Sequence, residues 1–128
     1  MESLYNIFRI KLSLVPMDYL RGFHNQINWK NRLICIMGQK GVGKSTLILQ
    51  HIRKYDNLDE TLYVTADNMY FSGHTLYELA GTFYSQGGKR LYIDEIHKYK
   101  EWSTEIKNIF DDYPTLQVVY SGSSLLAL

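Results

Sequence analysis

Cysteine is almost missing from this chain, and that alone removes one class of explanation. A single thiol, Cys35, cannot build a disulfide framework. Set inside an apolar run, it reads as a small core residue in a reducing compartment. Charge of one sign is missing too. The formal net charge is +1, so nothing in the overall balance argues for nucleic acid or an anionic membrane as partner. No apolar stretch is long enough to cross a bilayer. The beginning of the chain is no secretory leader, because Glu2 stands where a positive region belongs and Arg9 and Lys11 interrupt the apolar residues. Repeats, low-complexity tracts and charge runs are absent as well. A cytoplasmic protein is the expectation.

What remains is a folding composition. Hydrophobic residues make up 45% and aromatics 14% of 128 residues, enough for one domain at most, with a real core. Within it stands one string that decides the reading. Gly38-Gln39-Lys40-Gly41-Val42-Gly43-Lys44-Ser45 is a full G-x-x-x-x-G-K-[ST] loop. Before it, Leu33-Ile34-Cys35-Ile36-Met37 has the length of a buried strand; after it, Thr46 to Lys54 carries Leu47, Leu49 and Ile52 among good helix formers. Strand, glycine loop and helix together make a phosphate cradle. Glycines turn successive backbone N–H groups inward at a helix N-terminus, where an anion is favoured. Residues 38–46 are therefore the candidate nucleotide site. Lys44 would reach the β- and γ-phosphates, and Ser45 would ligate Mg²⁺.

The rest of the chain alternates. Leu4, Ile7, Phe8 and Leu12 predict an amphipathic helix over residues 3–15, stopped by Pro16. Residues 17–31 read as a connection. Leu62-Tyr63-Val64-Thr65 is a second strand. Thr75-Leu76-Tyr77-Glu78 has capping-box spacing and starts a helix that buries Leu76, Leu79, Ala80 and Phe83. Arg90 to Ile93 is a third strand. Trp102, Ile106, Ile109 and Phe110 form one apolar helical face, and Leu116 to Tyr120 is a fourth strand. Residues from Ser121 onward read as the start of a further loop or helix. Strands alternating with helices predict an α/β fold, a mostly parallel sheet between helical layers. The division expected is a helix and connection over 1–30 and a nucleotide-binding core over 31–128.

A second motif closes the third strand. Leu91-Tyr92-Ile93 runs into Asp94-Glu95, about fifty residues after the phosphate loop. In a parallel sheet that strand end lies beside the loop after strand one. Asp94 would hold Mg²⁺, directly or through water, while Glu95 would orient and deprotonate the attacking water. Successive side chains leave a strand in different directions, so the two acids can take different tasks.

Asp94-Glu95-Ile96-His97-Lys98-Tyr99, then Trp102, Tyr113-Pro114 and Tyr120-Ser121-Gly122-Ser123-Ser124 resemble a group of prokaryotic predicted ATPases in the AAA+ superfamily of P-loop NTPases. The resemblance covers about residues 18–128. It implies a three-layer fold, ATP and Mg²⁺ as ligands, Lys44, Ser45, Asp94 and Glu95 in the roles above, and Ser121 or Ser123 in the γ-phosphate sensor position. It also implies a fifth strand beside strand one, a helical lid and an arginine finger, none of which the sequence supplies. The expectation is a C-terminally truncated fold with about four strands, an open sheet edge, and self-association through that edge or as an ATPase oligomer. His97 reads as a surface imidazole or as a partner of Glu95 and the sensor strand; Asp67 reads as a turn residue or a functional acid. Trp29 and Trp102 read as packing residues, and Arg21 and Arg53 as solvated charges. Hydrolysis of ATP is the leading activity, slow or absent in this chain alone. A nucleotide-gated scaffold is the alternative, and a D-E-x-H helicase core is disfavoured by the short interval between the two motifs.

Overall fold

A computed structural model describes residues 1–18, 22–38 and 43–123. Gln39, Lys40, Gly41 and Val42 of the loop, together with Arg21 and Ser124, lie outside the described residues. Four strands form one parallel sheet: β1 (Leu33–Gly38), β2 (Thr61–Thr65), β3 (Arg90–Asp94) and β4 (Gln117–Ser123), in the order β1-β4-β3-β2. The helices are α1 (Glu2–Leu14), α2 (Lys44–Tyr55), α3 (Leu76–Ser85) and α4 (Trp102–Asp112). Each element forms where its apolar pattern requires. Thr75 caps α3 by accepting the Glu78 amide at 3.0 Å, which satisfies one of the orphan donors of the first turn.

Register fixes the two faces of the sheet. Tyr63, Tyr92, Val119 and Ile34 lie side by side on one; Leu62, Leu91, Val118 and Leu33 lie on the other. α1 and α2 cover the first face, where Phe8 stacks on Tyr63 with ring centroids 6.3 Å apart. α3 and α4 pack together over the second, where Trp102 meets Tyr120 at 5.8 Å. Leu47, Ile48, Ile52, Leu79, Leu91, Ile93 and Val118 are wholly buried between these layers. Truncating any one of the leucines or isoleucines to alanine would cost about 2–5 kcal/mol.

Two expectations change here. Cys35 is exposed, not a core residue. It shares the second face with Tyr120, but β1 is the edge strand among the described residues and has a strand neighbour on one side only. Leu33 and Met37 on the same side of β1 are likewise 36% and 40% exposed. The second change concerns the residues from Ser121 onward. Ser121, Gly122 and Ser123 continue β4 as partners of Ile36, Met37 and Gly38. Polar letters hid a strand whose pairing with β1 supplies the missing stabilisation.

Candidate active site

At the C-terminal end of the sheet the two motifs meet. β1 delivers the chain to the loop, and α2 opens with Lys44 after Gly43, whose φ of 90° lies in the left-handed region. Only glycine takes that conformation without strain. The Lys44 ammonium donates to the Gly38 carbonyl at 2.9 Å. Ser45, one residue further, donates its hydroxyl proton to Oδ2 of Asp94, 49 residues along the chain. Thr46 follows in the first turn of α2.

Asp94 is 2% exposed and accepts from four sides. Ser45 and the Tyr63 hydroxyl donate to Oδ2; the Ser121 hydroxyl and the Glu95 amide, at 3.0 Å, donate to Oδ1. Charge-assisted hydrogen bonds of this kind are what makes a buried carboxylate tolerable. Burial, then the charge and hydrogen bond of Asp94, push the Tyr63 phenol far above its ordinary value. Tyr63 therefore stays a proton donor at any working pH. Nothing in the letters of β2 pointed to this residue; it reads there as an ordinary strand former, and only the register with Tyr92 brings it next to the Asp94 end of β3.

Glu95 leaves the strand by a sharp bend, its φ of 55° and ψ of 42° being left-handed. A non-glycine residue held there carries about 1–3 kcal/mol of strain. The bend sends its carboxylate away from the Asp94 cluster, to a side chain 35% exposed and 3.2 Å from Nε2 of His97. Nδ1 of the same ring accepts the Ser123 amide at 3.3 Å. With Nδ1 accepting, Nε2 carries the proton and donates to Glu95. His97 thus ties the acid to the end of β4, where the sequence left a solvated imidazole open as a reading. Of the two sensor candidates, Ser121 reaches Asp94, while Ser123 contributes its backbone to His97. Asp67 is exposed. It borders the cavity of about 420 Å³ into which Ser45, Asp94 and Glu95 open. A larger one of about 720 Å³ adjoins it between residues 66–75 and 98–101, sharing Asp67 and Lys98. Trp29 is far from both, stacked on His51 at 3.7 Å between ring centroids.

The donor set suits Mg²⁺. A hydroxyl and a carboxylate, both hard oxygen ligands, are already in contact. No cluster of three or more His, Cys, Asp or Glu that could hold an ion by itself occurs among the described residues.

The AAA domain family profile matches residues 30–128. The chain belongs to this AAA domain family. Nucleotide binding of the ATPase type goes with that membership. Uncharacterized protein MJ1637 of Methanocaldococcus jannaschii is 30% identical over 79% of this chain, which spans only 23% of that relative's length. Among solved structures, C. elegans PCH-2 superposes on 96% of this chain and 35% of its own, with a TM-score of 0.46 and 17% identity. No helix among the described residues is long and apolar enough to cross a membrane.

Proposed function

We propose that this AAA domain binds Mg·ATP in the loop of residues 38–46 and that Glu95 promotes attack of water on the terminal phosphate. One observation carries the reading: the Ser45–Asp94 hydrogen bond, which joins the phosphate loop to the acidic strand end across the sheet. Lys44 exchanges the Gly38 carbonyl for phosphate oxygens. Ser45, whose hydroxyl donates to Asp94, would offer its oxygen lone pairs to the cation, and Asp94 would hold the cation directly or through water. Mg²⁺, when bound, neutralises charge on the phosphates. Glu95, held by His97, accepts the proton of the attacking water. Ser121 and the end of β4 report on the terminal phosphate through Asp94 and His97.

Thermal unfolding with and without Mg·ATP, beside Lys44→Ala, tests the binding step. At a hundredfold excess over Kd, ligand binding stabilises by about 2.7 kcal/mol, several degrees for a domain of this size. The shift disappears in Lys44→Ala. A cooperative wild-type transition that Mg·ATP leaves unmoved would overturn the reading.

Self-association belongs to the same proposal. The outer edge of β1 pairs with no strand among the described residues, and its exposed Leu33 and Met37 make it an apolar rim. Light scattering across a concentration series should show mass rising with concentration. A monomer throughout would remove this part of the proposal and leave nucleotide binding standing.

A further inference from the structure

Lys11 sits on α1, outside the residues that the AAA profile matches, yet it lines the same cavity as Ser45, Asp94 and Glu95. Its placement follows from helix geometry. Leu4, Phe8 and Leu12 are the buried face of α1, and Phe8 stacks on the Tyr63 ring. Lys11 comes three residues later, one turn along the same side. Its ammonium stands 5.5 Å from the centroid of that same ring, whose hydroxyl is bonded to Asp94. The side chain is half-buried.

The charges of the cavity are unevenly satisfied. Asp94 has four donors, and Glu95 has His97. The Lys11 ammonium has no ion pair or hydrogen bond to any described residue, and neither has the Lys98 ammonium across the cavity; the Lys98 backbone N–H donates to the Glu95 carbonyl. The acids nearest the phosphate loop are already engaged while the ammonium groups are not, so the ligand that completes the cavity is an anion. A lysine on a flexible stem serves such an anion as a point charge. On the reading above, the terminal phosphate is the part of a triphosphate that extends toward Asp94 and Glu95.

We propose that Lys11 recognises the terminal phosphate of the bound nucleoside triphosphate, which makes α1 part of the nucleotide site and a reader of three phosphates against two. This rests on the nucleotide-binding reading above. The test is calorimetric titration of the chain with Mg·AMPPNP and with Mg·ADP. Lys11→Met keeps the aliphatic stem on Tyr63 and removes the charge; Lys11→Arg keeps the charge. Lys11→Met should weaken Mg·AMPPNP about tenfold and leave Mg·ADP within about twofold, as loss of one charge-assisted contact requires. Lys11→Arg should keep the triphosphate preference. Equal weakening of both nucleotides, or of neither, overturns the proposal while nucleotide binding stands, provided Lys44→Ala still abolishes both titrations. A folded wild type that binds neither nucleotide overturns both readings together. If Lys11→Met does not melt like the wild type without ligand, Lys11→Gln is titrated in its place and judged by the same ratio.

Discussion

Tyr63 on β2 and Tyr92 on β3 are register neighbours on one face of the sheet, and each donates its hydroxyl to a buried carboxylate, one at either end. Tyr63 serves Asp94 at the C-terminal end. Tyr92 serves Asp56, which follows α2 at the opposite end. The same pair of groups stands in two different surroundings. Around Asp94 the other donors are two serine hydroxyls and a backbone amide, and a cavity opens in front of them. Around Asp56 the neighbours are rings, and the cavity there, about 320 Å³, is walled by them and by Arg90. His51 lies 3.7 Å away, Trp29 stacks on His51, and His24 bonds His51 at 2.9 Å and stacks on Tyr55. Arg90 adds its charge 3.8 Å from the carboxylate. A buried carboxylate is therefore not by itself a sign of chemistry. Both ends border a cavity, so what separates them is the partners: hydroxyls and an amide beside a second acid at Asp94, packed rings and a guanidinium at Asp56.

The largest effect that separates them is on rate. Glu95→Gln removes the proposed base at the Asp94 end and should slow single-turnover release of phosphate from bound Mg·ATP by about 10²- to 10⁴-fold. Nucleotide affinity, measured by titration, should stay within a factor of about three, because the phosphates are held elsewhere. A variant that hydrolyses at the wild-type rate would take Glu95 out of the chemistry.

At the Asp56 end the expected effect is on stability. Tyr92 is 1% exposed, and Tyr92→Phe leaves Asp56, whose side chain is 5% exposed, without its hydroxyl donor. The loss should be about 1–3 kcal/mol in urea unfolding, with nucleotide binding unchanged. A change in Mg·ATP affinity would mean that the two ends are coupled through the sheet.

Much of this arrangement can be read from the letters, and the exceptions share a cause. Lys44, Ser45, Asp94 and Glu95 stand in strings whose spacing is tied to local backbone geometry, so strand, loop and helix could be placed around them. Thr75 announced α3 in the same way. Tyr63 and His97 are different, because their roles come from register and from the left-handed bend at Glu95, which no local pattern encodes. Cys35 was misjudged because an apolar run looks alike in a central and an edge strand. The Asp56 cluster was also out of reach: His24, His51 and Arg90 are brought together from three separate segments.

Protonation offers a finer comparison. Burial, then the nearby His24 and Arg90, lower the His51 pKa from its ordinary 6.5 to about 4. Between those values the unfolded chain takes up a proton that the folded chain refuses. Stability should thus be unaffected by this group above pH 6.5, fall as pH drops toward 4, and level off below. The fall is about 1–3 kcal/mol, since the ring keeps some contact with solvent. Asp56 acts in the opposite sense. Burial raises its pKa against the lowering effects of Tyr92 and Arg90, so the folded state holds its proton more readily and gains stability in acid. His51→Gln isolates the histidine. Urea unfolding at pH 7 and pH 5 should show a smaller difference in the variant than in the wild type; an unchanged difference would assign the acid sensitivity elsewhere.

The smallest stability effect expected is the one that tests the comparison most directly. Tyr63→Phe makes the same chemical change as Tyr92→Phe, one residue across in the register, but Asp94 keeps Ser45, Ser121 and the Glu95 amide. With three donors left, the carboxylate is not stranded, and the loss should be about 1 kcal/mol or less. The change should appear in metal dependence instead. Oδ2 of Asp94, freed of one donor, becomes a stronger acceptor for the cation's water shell and for Ser45, so the Mg²⁺ concentration that half-saturates nucleotide binding should shift by a few-fold. Equal destabilisation by the two substitutions, with no shift in Mg²⁺ requirement, would show that both tyrosines are packing devices and that the kind of partner is not what distinguishes the Asp94 end.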